Sequence, residues 1–387
     1  DSGTYYEQIN ASTAEGDYTF TGYVSDDVAN YNSQSTTLTV DGTTPNTTIT
    51  TPTDNDVVSQ SITISANVTD NEAINESSIQ YCVGGNNCNP TTGLTGTTPT
   101  YDDTYDTTTK SDGSYTLRVT GDDRAENNDT DSHTITIDNT KPTVSIDTPR
   151  NTTILNGNIT VNATVTDANI NTSDITLQID TGTERSYDRS SGNTYSFDVD
   201  TTTLTEGDHD FTINASDTAS TPNTNQTTTT YNVDNEPPSV TIDTPADGAQ
   251  VTGTINPTAT ITDAAGNLNL SKSQNCTLNT AGPYSLTDDG ANTYTCTVST
   301  TDIGDTPNAD LTINASDDLN QTNTDNISLY VDNTPPTATE VNLSSTEMKS
   351  GDSVDITGTD VTDPTFGASG INNCEAYANE STPVDPS

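Results

Sequence analysis

Twelve aspartates recur in sets of three: Asp26, Asp41 and Asp70; Asp123, Asp138 and Asp167; Asp217, Asp234 and Asp263; Asp317, Asp332 and Asp363. Within a set the first step is 15, 15, 17 and 15 residues and the second 29, 29, 29 and 31. Carboxylates gathered at one point repel one another unless a cation sits among them. A hard ion such as Ca²⁺, taking six to eight oxygens at about 2.3–2.6 Å, is the usual solution. The competing reading is local: Asp favours turns because its side chain accepts from backbone N–H groups a few residues on, and each aspartate could serve only its own turn. Both readings stand at this point.

The elements that must position these groups follow from a second repetition. Val40-Asp41-Gly42-Thr43-Thr44-Pro45, Ile137-Asp138-Asn139-Thr140-Lys141-Pro142, Val233-Asp234-Asn235-Glu236-Pro237-Pro238 and Val331-Asp332-Asn333-Thr334-Pro335-Pro336 share one plan, at intervals of 97, 96 and 98 residues. Self-similarity at a fixed period means one unit copied in tandem, and a period near 100 is that of a small β-sandwich rather than a solenoid repeat. Cutting at the signature gives complete units 42–138, 139–234 and 235–332, with partial units 1–41 and 333–387. The sequence therefore reads as a window on a longer array. Apolar residues alternate at Ile62, Ile64, Ala66 and Val68, at Ile159, Val161, Ala163 and Val165, at Tyr195, Phe197 and Val199, and at Phe211, Ile213 and Ala215. Period two between turn signals writes half-buried strands. In unit 139–234 the pattern predicts strands over Pro142–Pro149, Gly157–Thr166, Ser173–Asp180, Thr194–Asp200, Asp210–Ser216 and Thr227–Val233, with no helical periodicity. The fold class is all-β, a tandem array of Greek-key sandwiches of about 97 residues joined end to end.

Composition alone points elsewhere. Leu, Ile, Val and Phe make up roughly 16% of 387 residues and the formal net charge is −48, values typical of disordered chains. The alternation overrides that, because the few apolar residues are not scattered but recur at period two. With 57 acidic and 9 basic residues, self-repulsion is relieved by salt or by bound cations, so a protein working in brine and one carrying many divalent ions are both consistent. The same balance leaves no basic patch for phosphates and excludes nucleic-acid binding. No run of 18 apolar residues is present to span a membrane.

Five cysteines without His–Cys clusters point to an oxidising, extracellular setting. Cys82 and Cys88 flank a Val-Gly-Gly-Asn-Asn loop that a disulfide can close. Cys276 and Cys296 are expected as a second pair, on core strands of one unit, and Cys374 matches Cys276 one period later. Asn-Xaa-Ser/Thr sequons number 18, including Asn67, Asn162, Asn214, Asn269 and Asn314, a modest excess over what shuffling this composition gives. They mark possible N-linked glycan sites of a surface protein. His133 and His209 lie in no zinc-ligand spacing and are expected as solvated strand residues. No phosphate loop or nucleophile elbow occurs, so no enzymatic activity is expected.

The tails of the units, Val24-Ser25-Asp26-Asp27, Gly121-Asp122-Asp123, Ala215-Ser216-Asp217 and Ala315-Ser316-Asp317, each followed by a last strand and the Asp/Pro signature, resemble prokaryotic Ig-like tandem repeats of large bacterial adhesins and archaeal surface proteins. There is no Trp, and the invariant inter-sheet cysteine pair of antibody domains is missing, so the units are not of the vertebrate immunoglobulin type. The resemblance implies a secreted, non-enzymatic stalk or adhesin segment at the cell surface, and with this acidity a haloarchaeal or similar source. Its partners would be other surface molecules or copies of itself. Two other roles are consistent with the sequence: a filament subunit in which residues 1–40 and 337–387 of neighbouring chains complete one another by strand donation, and accessory glycan-binding modules of an exported enzyme. Calcium-rigidified adhesin arrays, which the sequence also resembles, favour Ca²⁺ at the unit junctions.

Overall fold

The computed structural model describes residue 4 and residues 14–359, except 270, 272, 273, 338, 339, 348 and 350–352. The chain forms two compact units. One holds the described residues up to Arg150 with Thr160–Asp198 and Asp210–Thr229; the other holds Asn151–Ile159, Val199–His209 and the described residues from Thr230 onward. No helix among the described residues is long and apolar enough to cross a membrane.

The first unit opens with a hairpin of two ten-residue strands, β1 (Gly16–Ser25) and β2 (Tyr31–Val40), paired in register from Gly16–Val40 to Ser25–Tyr31. The second repeat then supplies a complete sandwich. Strands β3 (Asn46–Thr51), β4 (Val57–Val58), β5 (Ser61–Thr69), β6 (Gln80–Gly84), β7 (Thr92–Gly93), β8 (Thr95–Thr97), β9 (Thr100–Asp106), β10 (Gly113–Asp122) and β11 (Asn128–Ile137) divide into a four-stranded sheet, β3-β5-β9-β8, and a five-stranded sheet, β4-β11-β10-β6-β7. Ile62, Ile64, Ala66 and Val68 on one sheet meet Leu117, Val119, Ile135 and Ile137 on the other, all buried. The alternation seen in the sequence is this inner face. Each such Ile, Val or Leu side chain withdrawn from water is worth about 1.5–3 kcal/mol, and Ala66 less. Gly121 has a packing reason: a Cβ there would lie 2.8 Å from Ile79 Cδ1.

The third repeat follows the same plan, with sheets Thr143–Thr148, Asn158–Thr166, Thr194–Asp200, Arg189–Ser191 and Arg185–Ser186, Thr176–Ile179, Gly207–Ser216, Thr224–Val233. All six strands read from the sequence are present, with ends moved by up to three residues. The short edge strands at Arg185 and Arg189 were not legible, because they bury almost nothing and so carry no pattern.

In the second unit the fourth repeat builds one sheet from Ser239–Thr244, Thr258–Thr262, Thr293–Thr295 and Thr287–Gly290. Its other sheet comprises Gln250–Val251, Thr322–Val331, Thr306–Ser316, Asn275–Leu278 and Ala281–Ser285. Both expected disulfides form, Cys82–Cys88 and Cys276–Cys296. Cys276 lies on a strand of one sheet and Cys296 follows a strand of the other, so the expected pair links the two sheets of this repeat. The partial unit expected over 333–387 is described through the hairpin Glu340–Leu343 with Ile356–Thr359.

Candidate metal centres

Three strand ends converge at the leading end of each described sandwich. In the second repeat β3 carries the chain away from the linker, β5 returns it and delivers Asp70, and β10 delivers Asp123 to the same end. The loop after β5 is tied to the end of β10 by an isolated bridge, Ile74–Asp123, and by Asn75 N donating to Asp122 O. The third and fourth repeats repeat both features, with Ile170–Asp217 and Leu268–Asp317 as bridges and Asn171 N to Ser216 O and Asn269 N to Ser316 O as bonds. An apolar residue a few positions past the second aspartate thus fixes the second and third carboxylates relative to each other.

The resulting clusters are Asp41, Asp70 and Asp123; Asp138, Asp167 and Asp217; and Asp234, Asp263 and Asp317. In each, the nearest carboxylate oxygens lie within 4.8 Å of one another, about twice the Ca–O distance of ~2.4 Å. The linker and second aspartates are those grouped by the sequence, but the third partner comes from the following repeat. Asp123 joins Asp41 and Asp70, where the spacing had put Asp26. The reason is strand length. Asp123 and Asp138 are 15 residues apart because the ten-residue β11 lies between them, which places them roughly 30 Å apart at opposite ends of one sandwich.

Asp26 occupies the position of Asp123 in the first, partial repeat. It is exposed and caps its turn, accepting from Val28 N at 3.0 Å, Asn30 N at 2.9 Å and Asn30 Nδ2 at 2.7 Å. The Asn30 side chain, then its backbone N–H, hold the Asp26 carboxyl below the ordinary value. Asp332 accepts from Thr334 N, and Asp363 lies outside the described residues.

Within the clusters the two oxygens of a carboxylate differ: one serves a local turn, as the second reading of the sequence has it, and the other has no donor. Asp70 Oδ2 accepts from Glu72 N at 3.0 Å while Oδ1 is buried with no partner. Asp317 Oδ1 accepts from Gln321 N at 2.9 Å while Oδ2 is buried with no partner, and the residue is completely inaccessible. Asp263 Oδ2 and Asn267 Oδ1, in the same cluster, are buried without partners as well. A buried carboxylate oxygen left without a donor is costly, and these oxygens belong to groups gathered around shared points. Asp167 and Asp234 register the crowding. Burial first, then the charges of their cluster mates (Asp138 and Asp217; Asp317 and Asp263), push both carboxyls above the ordinary value, against lowering bonds from Asn169 and Asn267. The donor set is all oxygen, with no His or Cys, which fits a hard cation better than zinc.

Amides missed in the sequence complete the centres. Asn127 Nδ2 spans Asp123 Oδ2 (2.7 Å) and the linker carbonyl Asp41 O (3.2 Å). Asn223 Nδ2 does the same for Asp217 Oδ2 (2.6 Å) and Asp138 O (2.8 Å). Gln321 Nε2 reaches Asp234 O and Asp234 Oδ1. An amide four to six residues after the third aspartate is the signal that could have found them. Asp138 and Asp167 also line an open cleft of about 620 Å³ with Asp112, Thr140, Lys141 and Asn169.

These repeats match known families. The bacterial Ig domain model matches residues 45–119 and 142–213, and the bacterial Ig-like domain (group 3) model matches residues 192–280. The chain is a tandem array of Ig-like repeats. No curated protein matches it significantly. Among solved structures, the titin domains I67–I69 (an E-to-A variant) align with 14% identity over 74% of this chain and 98% of theirs, at a TM-score of 0.42. A structure described as a Ca²⁺-stabilized adhesin that helps an Antarctic bacterium reach out and bind ice aligns at 19% identity over 82% of both chains, TM-score 0.33. Another, from a 1.5-MDa bacterial ice-binding adhesin, aligns at 18% identity over 76% of this chain and 100% of that one, TM-score 0.30. These likenesses concern the fold of the Ig-like array alone, and nothing in them supports a haloarchaeal source.

The remaining predicted residues sit elsewhere on the Ig-like repeats. Asn67, Asn162, Asn214, Asn269 and Asn314 are half-buried and engaged: Asn67 Oδ1 accepts from Thr100 Oγ1, Asn162 Nδ2 donates to Thr148 Oγ1, Asn214 Nδ2 to Glu184 Oε1, Asn269 Nδ2 to Asp318 Oδ1 and Asn314 Nδ2 to Asn275 Oδ1. A glycan attached at Nδ2 would have to replace the last four of these bonds. His209 is not solvated: it is buried, with Nε2 at 2.8 Å from Thr205 O. His133 is half-buried, with Nδ1 at 2.8 Å from Pro52 O. A turn just before its strand brings Thr205 O to His209, and the chain leaving β3 brings Pro52 O to His133 across 81 positions, neither of which alternation encodes.

Proposed function

We propose that this chain is a non-enzymatic, extracellular spacer, a stalk or adhesin segment in which bound divalent cations fix one Ig-like repeat against the next. The observation that carries the reading is the clustering of linker, second-strand and late-loop carboxylates at three successive junctions, with one oxygen each of Asp70, Asp263 and Asp317 buried and without a donor. Asp41, Asp138 and Asp234 belong to the linkers, while the other two carboxylates of each centre belong to the following repeat. An ion held by all three therefore bonds the linker to the next sandwich. Ca²⁺ suits the all-oxygen donor set, and its charge would offset the mutual repulsion of the three carboxylates. The two disulfides accord with an oxidising location.

The test is titration calorimetry with Ca²⁺ on chelator-stripped protein at high NaCl, paired with thermal melting in Ca²⁺ and in EDTA. Saturable binding at the three described centres, with a chelator-sensitive melting temperature that monovalent salt does not mask, is the expected result. Equal melting in both, with no heat of binding, would remove the cation from the proposal.

A further inference from the structure

The loop that delivers the third carboxylate differs in length between repeats. Asp123 and Asn127 are four positions apart, as are Asp317 and Gln321, but Asp217 and Asn223 are six apart. Those two additional residues account for the 17-residue step from Asp217 to Asp234. In the structure the longer loop reaches back to the preceding repeat. Ser220 N donates to Val57 O at 2.9 Å, and Ser59 Oγ donates to Thr221 O. Val57 lies on β4, the outer strand of the five-stranded sheet, so the loop satisfies a carbonyl on an open sheet edge. Ser59 is completely buried and Ala219 and Asn223 nearly so. The shorter loops leave Arg124, Ala125 and Asp318 exposed. At the junction of the third and fourth repeats a side-chain bond, Asn232 Nδ2 to Ala265 O at 3.0 Å, is the corresponding contact, from a half-buried side chain.

We propose that the junction between the second and third repeats is docked by direct protein contact and stays aligned without a cation, whereas the junction between the third and fourth is set by its carboxylate centre. The second half rests on the cation reading above; the docking does not. Stripping cations then loosens the array selectively, because carboxylate repulsion is opposed at Val57 and Ser59 by bonds and burial that need no ion.

The experiment uses the full chain carrying Cys374→Ser, with spin labels on Thr63→Cys and Ser190→Cys across the second-to-third junction, or on Ser190→Cys and Thr287→Cys across the third-to-fourth. Pulsed dipolar spectroscopy is recorded in Ca²⁺ and in EDTA. In EDTA the third-to-fourth distance distribution is expected to broaden about twofold while the second-to-third keeps its width. Equal broadening at both overturns the proposal, as does calorimetric Ca²⁺ binding to which neither distribution responds. If Ca²⁺ does not bind at all, the cation reading is what fails. Docking is judged in either case by deleting Ser220 and Thr221, which must broaden the second-to-third distribution in either buffer. An unchanged width overturns it. Ser59→Ala with Ser220→Pro reads out the same contact should the deletion fail to fold.

Discussion

Asp138 and Asn139 are consecutive, yet their side chains serve different sandwiches. Asp138 Oδ2 accepts from Asn169 Nδ2 of the third repeat at 2.7 Å, while Asn139 Oδ1 accepts from Gln60 N and Thr107 Oγ1 of the second, both at 2.9 Å. Asn139 Nδ2 returns a bond to Thr107 O, and its backbone N–H donates to Asp112 Oδ1. Asn235 makes the same set with Gly157, Thr201 and Glu206, and Asn333 with Gly253, Thr300 and Asp305. The dipeptide is a two-sided coupling, with the amide locked to the repeat behind and the acid facing the repeat ahead.

Replacing Asn139 by Ala takes the acceptor from the Gln60 N–H and the donor from Thr107 O, and leaves the buried Thr107 hydroxyl with Gln60 O alone. The expected cost is about 1–3 kcal/mol in urea unfolding of that repeat. At the first junction Gly42 stands in the Asn position, keeping only the backbone bond to Glu15 Oε1. Gly42→Ala is therefore expected to be much milder, and the difference between the two variants is what the denaturation series measures.

Asp317→Asn keeps the volume of a fully buried group and removes the charge on the side of an unpartnered oxygen. Calorimetric Ca²⁺ stoichiometry is expected to fall by one while the other centres bind unchanged. The stabilisation lost from that repeat at calcium 100 times its dissociation constant is about 2.7 kcal/mol. An unaltered stoichiometry would contradict the assignment of Asp317 as a ligand.

Protons compete with the cation. Asp167 and Asp234 have native values raised above the ordinary 3.8 by burial and then by neighbouring carboxylates. In chelator the native state therefore binds more protons than the unfolded chain. The stability these two groups contribute is fully present below the unfolded value and is lost as pH rises through the raised native values. Calcium needs the ionised forms, so the calcium-induced rise in Tm is expected to shrink as pH is lowered through that window. Melting curves in Ca²⁺ and EDTA at stepped pH check the sign; a constant increment would oppose it.

The Cys276–Cys296 bridge closes a loop with a sequence separation of 20 in the fourth repeat. Cys276→Ala with Cys296→Ala is expected to cost about 3 kcal/mol on the chain-entropy estimate. The Cys82–Cys88 bridge, with a separation of 6, is expected to cost nearer 2 kcal/mol on the same estimate. Differential scanning of the two double variants ranks them.

Much of the architecture was legible because it depends on local pattern. Ile62, Ile64, Ala66 and Val68 announce a strand and its inner face together, since side chains alternate across a sheet and one face is buried. The Asp/Pro signature announces the linkers. Asn139 was visible in that signature but reads as a turn residue, because its partners Gln60 and Thr107 lie 79 and 32 positions away. His209 reads as solvated for the same reason: burial is a property of what packs over a residue.

The sequence by itself determined that sandwiches follow one another about every 97 residues, and that three carboxylates per period lie at strand ends. Only the tertiary structure decided which three meet. Spacing along the chain does not distinguish a hairpin, which returns a residue to its starting end, from a ten-residue strand, which carries it to the other. Asp41 and Asp70 are 29 apart and adjacent; Asp123 and Asp138 are 15 apart and belong to different centres.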